Sequence, residues 1–222
     1  MSNLFIDIET LPTDNPAAIE RVKAKLSAPS NYKDPEKIAA YIENEAESAV
    51  GKTGLSGLFG RVLCICYAFD DSQVETLYLD DFDSEFSMLN EFRSHCVDGL
   101  AREQSYCIHR LIGHNALGFD VPFLSQRMMV NGLKPLFRHG VKPWDMSVDD
   151  TMLMFASGSK NYASLDDLCL AFGIDSPKTG LDGSQIAKAY AEGRHDEIKE
   201  YCAGDVIATR QVYYKLTNKE AA

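Results

Sequence analysis

The chain opens on an apolar run, Asn3-Leu4-Phe5-Ile6-Asp7-Ile8-Glu9-Thr10, broken only by two acids spaced two apart. Alternate residues of a β-strand share a face, so the run predicts a strand that projects Asp7 and Glu9 to one side while Phe5, Ile6 and Ile8 anchor it. After Thr10 the period lengthens. Asn15-Pro16 sets a capping residue ahead of a proline suited to the first helical position, and Ile19, Val22 and Leu26 follow at helical spacing, predicting a helix over 16–26. Asp34-Pro35 repeats the device, with Ile38, Ile42, Ala46 and Val50 as the apolar stripe and Gly51 as the stop. A Gly-rich link over 51–60 leads into a β-branched and aromatic run at 61–69, a turn at Asp70-Asp71-Ser72 and a second run at 74–79, the pattern of a hairpin. Further on, the periodicity predicts helices at 80–100 (Phe86, Leu89, Phe92 and Val97 inward), 119–131, 148–155, 165–172, 184–192 and 196–215, with strands at 108–113 and 141–145. Strands first and helices alternating later imply an α/β fold, a mixed sheet covered by helices on both faces.

At 222 residues, 45% of them hydrophobic, the chain is expected to form a single domain, 1–222, with 14–56 as a helical insert between strands 1 and 2. A formal charge of −11 and a pI near 4.9 argue against an indiscriminate nucleic-acid binder, whose affinity comes from neutralising phosphates with Lys and Arg. They leave open an enzyme that meets phosphates through metal ions. The first apolar run is broken at Asp7 and has no basic leader, so neither a signal peptide nor a membrane span is drawn and a cytoplasmic location is expected. Six cysteines (Cys64, Cys66, Cys96, Cys107, Cys169, Cys202) contain no C-x-x-C pair and lack the close His spacing of a structural zinc site; they read as reduced core thiols. Acids dominate from Asp70 to Glu103, a face that should repel a phosphate backbone, whereas from Arg110 to Lys142 the balance inverts, with Arg110, Arg127, Lys134, Arg138 and Lys142 against Asp120.

Two carboxylates side by side in an apolar strand repel each other, and a bound cation relieves them best; all-oxygen ligands suit Mg²⁺ or Mn²⁺. Alternation of apolar and acidic residues also describes an ordinary edge strand. Asp120 ends the segment Gly113-His114-Asn115-Ala116-Leu117-Gly118-Phe119-Asp120, where a small polar turn hands over to a helix whose dipole favours an ionised acid, a position that capping alone could explain. Tyr201 and Asp205 lie four apart and share one face of the last helix. His109 and His114 alternate with strand residues and read as structural.

Together, Asp7-Ile8-Glu9-Thr10, Asn115-x-x-x-Phe119-Asp120 and Tyr201-x-x-x-Asp205 resemble the three motifs of the DEDD exonucleases, in their tyrosine-bearing subclass. Leu58-Phe59-Gly60-Arg61-Val62-Leu63-Cys64-Ile65, Ser164-Leu165-Asp166-Asp167-Leu168, Pro177-Lys178, and Asp182-Gly183 followed by Glu192-Gly193-Arg194 are similar to stand-alone 3′-5′ exonucleases related to the editing domain of family B DNA polymerases. The resemblance runs from Asn3 to Leu216 and implies a ribonuclease H-like, mixed five-stranded sheet with helices on both faces. The helical insert after strand 1 is the departure from a minimal exonuclease domain.

The resemblance implies hydrolysis of single-stranded DNA from its 3′ end with two ions, Mg²⁺ or Mn²⁺, about 4 Å apart. It makes Asp7 the ligand of both ions, gives Glu9 and Asp205 to the nucleophile-side ion, and lets Asp120 hold the other through water. Tyr201 would orient the attacking water, since a phenol of pKa near 10 is a poor unaided base at neutral pH. Asn115 would help fix the terminal nucleotide, the backbone at Thr10 and Leu11 would cradle its 3′-hydroxyl, and Lys178 would meet a phosphate. Phe119 and Phe123 could stack on bases or belong to the core. A polymerase or repair protein is the implied partner class, and no membrane is involved. Two alternatives stay open: an exoribonuclease on short RNA, because the same acids cut either backbone, and a catalytically silent nucleic-acid-binding module or polymerase accessory subunit, which the intact acids oppose. The insert helices begin next to the acids, and their apolar stripes should dock on the domain or on a partner, because two short helices hold each other weakly. Lys23, Lys25, Lys33 and Lys37 on them would line the substrate path as a wall or lid.

Overall fold

The computed structural model describes residues 3–98, 110–136, 147–176 and 180–218. The opening run forms β1 (Asn3–Leu11), the centre of a five-stranded sheet of order β3-β2-β1-β4-β5, with β2 at Arg61–Phe69, β3 at Glu75–Tyr78, β4 at Arg110–Gly113 and β5 at Val148–Asp150. β1 runs antiparallel to β2, and β2 to β3, whereas β4 is parallel to β1 and β5 to β4. Strand alternation sorts the sheet into two faces. Leu4, Ile6 and Ile8, with Leu63, Ile65 and Tyr67, point one way; Phe5, Asp7 and Glu9, with Cys64, Cys66 and Ala68, point the other.

The first face packs on α3 (Glu85–Asp98) and α4 (Asp120–Val130), Tyr67 meeting Phe92 edge-on at 5.3 Å between centroids. Removing a fully buried ring such as that of Phe92 would cost about 3–5 kcal/mol. The second face is covered by α8 (His195–Thr217), whose buried residues Ile198, Tyr201, Cys202, Val206, Thr209 and Tyr213 fall along one side of the helix. Phe5 shares this face with the acids and lies under Tyr213 and Tyr214, 5.7 and 5.9 Å away. On the outer side of α8, Leu168 and Cys169 of α6 (Leu165–Phe172) close a second small core with Ala208 and Val212. Two shorter helices, α5 (Thr151–Ala156) and α7 (Ile186–Ala191), complete the layer.

Several expected elements shift. The helix expected from Asp80 begins at Glu85, after a 3₁₀ turn at Leu79–Asp81. Its inward positions become Glu85, Met88, Leu89, Phe92 and Cys96, leaving Phe86 46% exposed. Glu85 takes the inward place because Arg127 of α4 pairs with it at 2.5 Å and the Val62 amide donates to it at 2.8 Å. The segment expected as a helix over 148–155 starts as the edge strand β5, and Asp150 caps α5 by accepting from the amides of Met152 and Leu153. The strand expected at 141–145 lies outside the described residues, as do His109, Cys107, Lys178, Arg138 and Lys142.

The insert forms α1 (Pro16–Lys23) and α2 (Pro35–Gly51), capped by Asn15 and Asp34 as read from the sequence. The two helices pair with each other, and α2 buries no residue fully, so of the two covers expected for their stripes the domain supplies little and a partner is the one left open. Ala18 of α1 is buried, and an edge-on contact of Tyr32 with Tyr41, 5.6 Å between centroids, closes the hairpin. Arg61 of β2 holds its root through Asp14 at 2.7 Å.

Candidate functional site

Where β1 meets α8, carboxylate oxygens of Asp7, Glu9 and Asp205 lie within 4.8 Å of one another. The strand fixes two of them. Asp7 faces Cys66 across the sheet and Glu9 faces Cys64, and the pairing slips directly after Glu9, so that Thr10 pairs with Val62 and Leu63 is an extra residue in β2. Such a bulge bends β2 and interrupts its regular pairing with β1 just beyond the acids. Asp120 joins from α4, buried, its Oδ1 accepting from the Ile8 amide at 3.2 Å. Four acids from three elements thus converge, as the motifs led one to expect. Tyr201 stands one helical turn before Asp205, 8% exposed, with its hydroxyl hydrogen-bonded to that acid.

The electrostatics are those of a site built for a cation. Burial, reinforced by the charges of Asp120, Glu9 and Asp205, pushes the Asp7 carboxyl well above the usual carboxylate range. Burial, then Asp205 and Asp120, does the same to Glu9. Burial raises Asp120 to about 7, although its own amide and that of Ile8 donate to it and favour the charged form. Asp7 Oδ2 is shut off from solvent and has no hydrogen-bond partner. A buried carboxylate oxygen left bare among three further acids lacks what would stabilise it, and a hard divalent cation with oxygen ligands fits both the donor set and the gap. Burial and the charges of Asp205, Glu9 and Asp7 move the Tyr201 phenol far above its ordinary value, so it remains a hydroxyl at neutral pH.

Asn115 is exposed and left-handed (φ 60°), at the turn between β4 and α4, and its carboxamide lies close over Gly118. The Thr10 hydroxyl donates to the Gly54 carbonyl at 2.7 Å, which ties the end of β1 to the 3₁₀ turn at Lys52–Leu55, and Leu11 is buried beside it. Phe119 is half-buried and packs on Phe123 with centroids 5.4 Å apart. Phe123 itself is only 2% exposed and abuts Gly60, so its ring sits in the core and offers no face to a base. His114 bridges Thr151 and the Ala163 carbonyl, a structural role. Of the basic stretch, Arg110 is paired with Asp149 at 2.7 Å and Arg127 is buried against Glu85, so neither is a free phosphate contact.

Sequence reasoning missed Asp150. It is buried, and besides capping α5 it accepts from the amides of Asn115 and Leu117, both at 3.0 Å. One carboxylate thereby fixes the turn that carries Asn115 and delivers Asp120. The signal is an Asp standing directly before an apolar helical run, and it is hidden because the periodicity extends the expected helix back to Val148, three residues before α5 begins. Leu55 and Leu58 stand 70% and 61% exposed in the link beside the end of β1, and neither reads as a site residue from the sequence.

No helix among the described residues is long and apolar enough to cross a membrane. A search of curated proteins by sequence finds no match. Among solved structures the chain is similar to the family B DNA polymerase from the hyperthermophilic archaeon Pyrobaculum calidifontis, with a TM-score of 0.56 and 15% identity over 98% of this chain. It spans 24% of that polymerase's length. At that identity the likeness speaks for the fold, and the mixed five-stranded sheet is the ribonuclease H-like one. The family model described as "Predicted 3'-5' exonuclease related to the exonuclease domain of PolB" matches residues 55–221, a stretch that holds Asp120, Tyr201 and Asp205 and leaves out β1 and the insert. Matched over most of its length, the chain belongs to this family of predicted 3′-5′ exonucleases related to the exonuclease domain of PolB.

Proposed function

We propose that the chain is a metal-dependent exonuclease that shortens single-stranded DNA from the 3′ end, acting as one catalytic domain in the cytoplasm. The observation that carries this reading is the bare, buried Asp7 Oδ2 among carboxylates that crowd within 4.8 Å. Asp7, Glu9 and Asp205 would hold one Mg²⁺ or Mn²⁺ ion, and Asp7 with Asp120 a second. When bound, the ions would supply Lewis acidity, easing deprotonation of the attacking water and neutralising the leaving 3′-oxygen.

The protein's own residues do the rest. Tyr201, kept protonated by burial and by the acids around it, holds the attacking water in line through its hydroxyl. Asp150 locks the turn so that Asn115 reaches the terminal nucleotide from a fixed place. The Thr10–Leu11 backbone cradles the 3′-hydroxyl, held by the Thr10–Gly54 bond. Lys178 meets a phosphate, Phe119 presents its open face to a base, and the exposed Leu55 and Leu58 shield the next one. Since the similar polymerase carries this fold as part of a longer chain, a polymerase or repair protein is the partner class to test.

The test is to incubate matched DNA and RNA oligonucleotides, labelled at the 5′ end, with the protein and Mn²⁺ or Mg²⁺. A ladder from DNA that disappears with chelator is the expected result. A ladder from RNA alone would reassign the substrate. Binding of oligonucleotide without any cleavage under either ion would overturn catalysis in favour of a silent binding module.

A further inference from the structure

The fold assembles a second set of ligands that sequence spacing concealed. Cys64 and Cys66 are alternate residues of β2, and Cys202 lies far away on α8, yet their sulfurs are all within 4.8 Å of one another and all three residues are fully buried. Among the described residues the other free cysteines, Cys96 and Cys169, are buried in apolar core and join no such group. The three thiols are not simply greasy filling. Cys66 Sγ lies 3.2 Å from the Thr76 hydroxyl, and Cys202 Sγ points at the Asp7 carbonyl oxygen from 3.5 Å. Cys64 and Cys66 Sγ are 3.7 Å apart. A tetrahedral Zn²⁺ with Zn–S bonds of about 2.3 Å needs sulfurs about 3.8 Å apart, so the pair already stands at the required separation.

We propose that Cys64, Cys66 and Cys202 form a binding site for a thiophilic d¹⁰ cation, Zn²⁺ in the first place, with an oxygen from Thr76 or the Asp7 backbone as fourth ligand. Thiolates select soft ions and the carboxylates next door select hard ones, so the two sites discriminate by donor chemistry alone. Thr76 is exposed on the edge strand and gives a route to Cys66. Cys66 pairs with Asp7 and Cys64 with Glu9 across the sheet, and Cys202 directly follows Tyr201. Drawing the sulfurs together would pull β2 and α8 towards each other behind the acids and displace both Asp7 and Tyr201. Occupation therefore slows hydrolysis. Ion uptake is independent of the exonuclease reading, while its effect on turnover rests on that reading.

The test titrates the full, reduced chain with Cd²⁺, used as a spectroscopic probe of thiolate ligation, in saturating Mg²⁺. An ultraviolet sulfur-to-cadmium charge-transfer band should grow to one equivalent, be erased by competing Zn²⁺, persist in Asp205→Asn and vanish in Cys66→Ala and in Cys202→Ala. Circular dichroism establishes that each variant is folded; Cys64→Ser serves where an alanine variant is not. With Mg²⁺ saturating, Zn²⁺ should lower turnover of the parent at least about tenfold and spare Cys66→Ala. The proposal is overturned if no band forms, if the band survives loss of the thiols, or if Asp205→Asn removes it. A parent that shows the band but no hydrolysis under any ion keeps the thiol site and overturns the exonuclease reading.

Discussion

Asp7 is held in an environment that penalises its charge, which a proton relieves in the ion-free state and a bound cation would relieve at neutral pH. Asp7→Ala should therefore cut hydrolysis by more than about 100-fold, because removing a ligand costs more than the loss expected from disturbing its outer partners. The same substitution relieves repulsion among the remaining acids, so the ion-free variant should melt no lower than the parent. Substantial residual activity at matched metal concentration would show the site to be misassigned. Tyr201→Phe deletes one hydroxyl and leaves every carboxylate in place. Turnover should fall about 10- to 100-fold at nearly constant KM, the weight of one hydrogen bond worth about 1.5–3 kcal/mol in the transition state. An unchanged turnover number would take Tyr201 out of the mechanism. The placing of Asp7, Glu9, Tyr201 and Asp205 was legible in the sequence because motif spacing preserves their faces: two apart on a strand for the first pair, four apart on a helix for the second. The place of Phe123 was not, since a ring close to an acid of the cluster looks the same in sequence whether it faces a base or, as here, Gly60.

At the scale of elements, the sequence was most informative where a cap and a period agree, as in α1, α2 and the central strands. It was least informative where tertiary contacts choose among several starts. Glu85 is drawn inward by Arg127, which moves the start of α3, and β5 exists because its three residues find β4, not because of any propensity of Val148-Asp149-Asp150. Asp150 illustrates the consequence, for it joins two elements that the sequence places apart. Asp150→Asn keeps one acceptor oxygen and loses the charge that four amides share. It should destabilise the fold by about 1–3 kcal/mol and lower turnover more than it raises KM, since Asp120 and Asn115 lose their common anchor. Unaltered kinetics in a variant of lower melting temperature would confine Asp150 to capping. The insert yields a different prediction. Lys23, Lys25, Lys33 and Lys37 are all exposed on or beside the hairpin of α1 and α2, which stands next to the end of β1. Replacing the four with Gln should raise KM for long oligonucleotides and flatten its salt dependence, each lost phosphate contact reducing the slope by roughly 0.7 for a single strand. Hydrolysis of a small nitrophenyl ester of thymidine monophosphate should hardly change. Identical salt curves for variant and parent would show that the hairpin does not touch the substrate.

For the molecule as a whole, the acid cluster couples stability to pH in a direction opposite to that of most proteins. A carboxyl whose native pKa is depressed loses stability as pH falls, but here burial raises Asp7 and Glu9 above their ordinary values and lifts Asp120 to about 7. The ion-free native state then keeps protons that the unfolded chain has released. Stability from this cluster is fully present below the unfolded values of 3.8 for Asp and 4.5 for Glu, and is lost as pH rises through the native ones. Other groups titrate over the same range, so the informative quantity is the difference between the parent and Asp7→Asn, in which they cancel. With chelator present, the melting temperature of the parent relative to that variant should decline from about pH 5 to about pH 8, because the variant has one charge fewer to confine. Saturating Mg²⁺ should invert the trend. The ion binds the deprotonated acids of the native state, so its stabilisation grows as pH rises and protons cease to compete. A melting difference that stays flat with pH in chelator, or an Mg²⁺ increment that does not grow between those two pH values, would show that these acids are neither crowded nor ion-binding in solution.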